Sequence, residues 1–142
     1  MILACRLNFH GDELHPLGGA ELGAELGAEA VSHLEEISSA GVAGLARAGS
    51  VAVILPTTAY ILRLPAPPVR QMLQAGCIVA LGTDFNPNAY CLSLPVCMHL
   101  ACVNLKDRLS ALELLFYFSV PIQSYLNGHF TFICNCDARY IT

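Results

Sequence analysis

The apolar positions along this chain change period in a regular way. Short runs of apolar and β-branched residues alternate with stretches in which apolar residues recur every three or four positions. Leu3–Phe9, Ala30–Leu34, Ser50–Leu55 and Cys77–Leu81 read as strands. Cys77–Leu81 is the clearest buried one, bounded by Gly76 and Gly82 and followed by Thr83-Asp84 and the turn formers Asn86, Pro87 and Asn88. Between the strands, Ala20–Ala30 carries Glu21, Glu25 and Glu29 on one stripe and Leu22, Leu26 and Ala30 on another, which predicts a helix with the leucines inward. Gly23 and Gly27 lower its intrinsic propensity but would let it lie close against a sheet. Ile37–Ala48 predicts a second helix with Ile37, Val42, Leu45 and Ala46 inward. Val69–Ala75 predicts a short one with Val69, Met72 and Leu73 on one face and Gly76 as its cap, and Pro95–Leu105 an apolar one. Pro56-Thr57-Thr58 reads as the stop after the third strand.

Four consecutive strand–helix units mean an α/β fold with a parallel sheet or barrel. Composition sharpens that choice. Of 142 residues, 55% are hydrophobic and only 13% charged, against roughly 25% charged in an ordinary soluble domain. Half of an eight-unit barrel, whose strands other elements cover, accounts for this better than a free four-stranded sheet. Phe85–Leu105 and Leu114–Cys136 are uncharged enough to test as membrane spans. Both are interrupted by Pro, Asn, Gly or His, so a membrane role is not expected. A net charge of −4 without a basic patch argues against nucleic acid. Seven cysteines, an odd number lying mostly in apolar patterns, read as reduced thiols of a cytoplasmic chain. Cys134-x-Cys136 has the wrong spacing for a zinc pair.

Polar residues gather where the strands end: His10 and Glu13, His33, Thr57 and Thr58, and Asp84. Each has a plainer reading. Asp84 could cap a loop or the next helix, His10 and His33 could be ordinary hydrogen-bonded histidines, and Glu13 beside Asp12 could be a solvated loop acid. In a parallel barrel, however, such strand ends meet at one mouth. Imidazole and carboxylate there suit a divalent metal that lowers the pKa of a bound water. A neighbouring acid then takes its proton and another protonates a leaving nitrogen.

The words LNFHGDELHP (7–16), AVSHLEE (30–36), LPTTAY (55–60) and ALGTDFNPNAY (80–90) occur in order, and together they resemble the imidazolonepropionase family of amidohydrolases. The resemblance runs from about Leu7 to Leu112. It implies a partial TIM (β/α)8 barrel, strands five to eight with their helices, over residues 1–112, and a divergent tail, poorly ordered or helical, over 113–142. It also implies hydrolysis of the cyclic amide of 4-imidazolone-5-propanoate to N-formimidoyl-L-glutamate, in histidine degradation, with zinc or iron. By the resemblance, His10 and Asp84 are metal ligands, and Asp84 also accepts the proton of the attacking water. Glu13 contacts and polarises the substrate ring, His33 assists chemistry and binding, and Asn86 and Asn88 contact the substrate. The resemblance leaves room for a homodimer of the full-length protein. The family's first strand carries a His-x-His pair with two further metal ligands. This sequence contains no such pair, so the alternative is a truncated product without catalysis.

Overall fold

The computed structural model describes residues 6–104. The tail 113–142, a helix over Ser110–Phe118 and the Cys134-x-Cys136 pair lie outside the described residues. Within them the elements are β1 (Asn8–Gly11), α1 (Gly19–Leu26), β2 (Ala30–His33), α2 (Ser39–Ala48), β3 (Val51–Ile54), α3 (Pro56–Leu62), α4 (Val69–Gln74), β4 (Ile78–Leu81) and α5 (Leu94–Asn104). The four strands form one parallel sheet in chain order, β1-β2-β3-β4. The α/β reading with a parallel sheet is borne out.

Register lines the strands up residue by residue. His10 pairs with Ser32, Ser32 with Val53, and Val53 with Ala80. Because side chains alternate across a sheet, this row lies on one face and its neighbours on the other. The neighbours Val31, Ala52, Ile54, Val79 and Leu81 form the main core with Ala20 of α1, Val42 and Leu45 of α2, Val69 and Met72 of α4 and Ala101 of α5. The opposite face holds a smaller cluster of Ala30, Val53, Leu55 and Ala80, to which no helix contributes. Right-handed crossovers in a sheet that runs in chain order put every helix on the same side. Helices thus cover one face, and the row Ser32, Val53 and Ala80 on the other carries modest side chains.

Local chemistry sets the helix ends. Ser38 caps α2, its Oγ accepting from the Gly41 amide at 2.9 Å, and Gly49 ends the helix at φ +71°. Two expectations for α1 need correction. It stops at Leu26 because Gly27 takes a left-handed C-cap at φ +64°. Its inward residues are Ala20 and Gly23, while Leu22 and Leu26 are about half exposed. The reason is distance. A Cβ at Gly23 would stand 2.6 Å from Val31 Cγ2, and one at Gly19 would stand 2.7 Å from Gly11 Cα. The helix rests against β1 and β2 through hydrogens, closer than a leucine face permits.

The third strand stops before Pro56-Thr57-Thr58, as expected, and the same residues open α3. Proline is well placed in a first helical turn, where its missing N–H is not needed. The helix buries Thr57 and Thr58 and ends at Arg63, φ +57°. The first strand is Asn8–Gly11 where Leu3–Phe9 was expected; Leu7 precedes it, and residues 1–5 are not among those described. Among the described residues no helix is long and apolar enough to cross a membrane, and Cys77, Cys91, Cys97 and Cys102 are free thiols.

Candidate active site

The chain turns sharply just past three of the four strands, and the site sits on these turns. Asp12, His33, Leu34 and Asp84 all have left-handed backbone, at φ 50°, 79°, 69° and 49°. For residues with a Cβ this costs on the order of 1 kcal/mol each, and such strain collects at functional sites. At His33 the turn redirects a side chain. By alternation His33 would share the helix-covered side with Val31, yet its ring lies 4.8 Å from that of His10, centroid to centroid, and its Nε2 is 2.6 Å from His10 Nδ1.

The turn after β1 is held by Asp12, which is buried. Its Oδ1 accepts from the amides of Leu17 and Gly19, both at 3.0 Å, and its Oδ2 from Ala20 at 2.8 Å. Gly18, at the N-cap of α1, has no side chain to supply this. A carboxylate reaching the free amides of a helix's first turn satisfies them and interacts well with the helix dipole. The consequence is that β1, the turn and α1 are one unit, and Glu13 follows directly from it.

Glu13 Oε2 lies 3.7 Å from His33 Nε2. One ligand atom each from His10, Glu13 and His33 falls within 4.8 Å of the others. A set of two imidazoles and a carboxylate suits zinc or iron better than magnesium or calcium. His10 is exposed, Glu13 half-buried and His33 buried. Burial holds the His33 imidazole below the usual histidine range. Glu13 and Asp84 oppose that and His10 reinforces it. His33 is therefore neutral at pH 7.

Asp84 lies outside this close group but faces the same cavity, of about 610 Å³, which His10, Glu13, His33, Asn86 and Asn88 also line. Its Oδ2 accepts from Thr58 Oγ1 at 2.5 Å, so α3 fixes the end of β4. Asp84 is not a helix cap. Asn86 uses both ends of its amide inside its own loop: Nδ2 donates to the Asp84 carbonyl at 2.8 Å, and Oδ1 accepts from the amides of Asn88, at 2.8 Å, and Ala89, at 3.2 Å. Asn88 is exposed at the rim.

Sequence reasoning gave no role to two acids that the fold puts to use. One is Asp12, the buried clamp of the first turn. The other is Glu35; it is buried, and that burial pushes its carboxyl up to about 8. Its own backbone amide pulls the other way, while the charges of Glu13, Asp84 and Glu36 add to the rise. Its place in the word HLEE, two residues beyond a strand-end histidine, was the only signal.

No family model matches the chain. Curated relatives match strongly. Proteins named probable imidazolonepropionase are 68% identical over 107 residues in Xenopus tropicalis (75% of this chain, 25% of the relative) and 64% identical over 104 residues in Mus musculus (73% and 24%). The protein of that name in Homo sapiens is 62% identical over 104 residues (73% and 24%). The chain spans about a quarter of the length of the curated relatives it matches. The matched part of this chain is homologous to a segment of the proteins named probable imidazolonepropionase.

Proposed function

We propose that this chain carries the strand-five-to-eight side of an imidazolonepropionase site, on four units of a partial (β/α)8 barrel in the cytoplasm. Support for the barrel comes from the parallel chain-order sheet with helices on one face. Support for the activity comes from the names of the relatives. The observation that carries the site is the single cavity shared by His10, Glu13, His33 and Asp84 at the strand ends.

The proposed reaction opens the ring of 4-imidazolone-5-propanoate to N-formimidoyl-L-glutamate. The oxygen of water bonds to the ring carbonyl carbon and the amide C–N bond breaks. One proton of the water passes to Asp84 and from it to the departing nitrogen, and the other leaves with the new carboxyl group. Glu13 contacts the ring and polarises it. His33, neutral and buried, lies opposite Glu13 and hydrogen-bonds the substrate. Asn88 meets the substrate at the rim. Asn86 contributes a contact through its loop, because its amide already holds that loop. His10 and Asp84 would hold one zinc or iron ion, which when bound supplies Lewis acidity and a more acidic attacking water.

A second reading has a specific basis. The sequence has no His-x-His pair to add ligands, and a site of two ligands holds a catalytic ion weakly. In that reading these residues by themselves hold no catalytic ion and do not turn over the substrate. The test is hydrolysis of 4-imidazolone-5-propanoate by the purified chain with added Zn²⁺ or Fe²⁺, alongside His10→Ala and Asp84→Asn. Turnover lost in both variants supports the first reading, and no turnover in any of the three supports the second. Turnover that survives both substitutions overturns the site.

A further inference from the structure

Two threonines open α3, and their hydroxyls reach in different directions. Thr57 Oγ1 lies 2.9 Å from Cys97 Sγ of α5, and Thr58 Oγ1 donates to Asp84 Oδ2 at 2.5 Å. All four residues are buried. The first turn of α3 is thus braced against α5 on one side and holds the end of β4 on the other. Asp84 is fixed a second time through its backbone. At φ 49° it makes the turn out of β4, and Asn86 Nδ2 donates to its carbonyl at 2.8 Å.

The two oxygens of the Asp84 carboxyl are therefore unequal. Oδ2 is taken by Thr58. Oδ1 accepts no hydrogen bond among the described residues, yet it is not sealed away, and Asp84 lines the cavity with His10, Glu13 and His33. A carboxylate free to turn about its Cβ–Cγ bond offers a cation either oxygen, or both together. One whose Oδ2 is tied to a buried hydroxyl offers a single atom in a single direction. Hydrogen-bond partners of ligating carboxylates orient them in this way. Threonine suits the task, because a β-branched side chain buried in a helix has few rotamers to choose from.

We propose that Thr58 is a positioning residue for Asp84: its hydroxyl retains Oδ2, so that Oδ1 alone meets the ion and the attacking water. This rests on the reading of Asp84 as an ion ligand and deepens it, naming the oxygen that acts and the residue that selects it. A carboxylate ligating through one oxygen leaves positions around a small ion such as zinc for water and substrate. Thr58 itself touches neither, since its donor is spent on Asp84.

The test uses the 142-residue chain and Zn²⁺ alone, titrated calorimetrically at neutral pH. Thr58→Val is expected to weaken Zn²⁺ binding about tenfold or more, the usual effect of removing a ligand's hydrogen-bond partner. Thr58→Ser, which keeps the hydroxyl, should stay within about twofold of wild type. Thr57→Val removes a buried hydroxyl from the same helical turn, but one that faces Cys97, and should also stay within about twofold. Wild-type affinity in Thr58→Val overturns the proposal, and so does an equal loss in Thr57→Val. Infrared difference spectra between wild type and Asp84→Asn isolate the Asp84 carboxylate stretches without any change at Thr58. With Zn²⁺ bound, widely separated bands mark a one-oxygen ligand and support the proposal. Closely spaced bands mark a two-oxygen ligand and overturn it, even where Thr58→Val does not fold. A wild type that binds no Zn²⁺ defeats the ligand reading instead. The ion-free wild-type bands then decide the role of Thr58, wide separation supporting unequal oxygens and narrow separation overturning them.

Discussion

Thr58 Oγ1 donates to Asp84 Oδ2 at 2.5 Å, and both residues are buried. One hydrogen bond therefore links the first turn of α3 to the end of β4, across elements 26 residues apart. Thr58→Val keeps the shape and removes the donor. We expect a loss of roughly 1.5–3 kcal/mol in urea unfolding, because a buried carboxyl oxygen is left without its partner. Thr58→Ser, which keeps the hydroxyl, is expected to recover most of it.

Asp12 accepts three backbone amides around the start of α1. Asp12→Ala leaves the helix's first turn unsatisfied and is expected to cost roughly 2 kcal/mol, at the upper end for loss of a cap. Amide hydrogen exchange locates the effect, with Gly19 and Ala20 losing protection before the residues of β3 do. Equal loss of protection throughout the sheet would show that Asp12 is not a local clamp.

Gly19 tests the close approach of helix and strand. An added methyl would stand 2.7 Å from the backbone of Gly11, where no flexible side chain can move aside. Gly19→Ala is expected to destabilise by roughly 1–3 kcal/mol through overpacking, against about 1 kcal/mol of gain from helix propensity. Gly27→Ala, at φ +64° but in open space, separates backbone strain from crowding and should cost less.

Two buried groups, Glu35 and His33, make opposite predictions for pH. Glu35 moves from 4.5 to about 8 on folding, so the folded chain holds a proton that the unfolded chain has released. Its contribution is full below about 4.5 and is lost as pH rises toward 8, at no more than about 1.4 kcal/mol per pH unit. His33 is lowered from 6.5, so its contribution is present above 6.5 and is lost as pH falls through its folded value. Urea unfolding of wild type should therefore show stability declining from pH 6.5 to 8. Glu35→Gln should remove that decline and leave the acid-side loss due to His33. An unchanged alkaline slope in Glu35→Gln would contradict the placement of Glu35.

How much of this was readable in advance depends on how local the cause is. The strands β2, β3 and β4 and the helices α2 and α4 follow from period and capping residues, Ser38 and Gly49 among them, which act within a turn or two. The gathering of His10, Glu13, His33 and Asp84 at one end follows from parallel strand order alone. What could not be read were effects set by spacing between elements. Hydrophobicity favours Leu22 and Leu26 for the inward face of α1, but the helix sits too near β1 for anything larger than Ala20 and Gly23. Asp12 and Glu35 look like ordinary surface acids until the partners that surround them are in place.

The row His10, Ser32, Val53 and Ala80 on the uncovered face of the sheet is made of modest side chains, apart from the histidine at its edge. A protein interior must be filled to crystal-like density. In the proposed barrel, strands facing this row would therefore bring bulk to it, with leucine, isoleucine, phenylalanine or methionine opposite Val53 and Ala80. Small side chains on one wall would set the residue sizes required on the other.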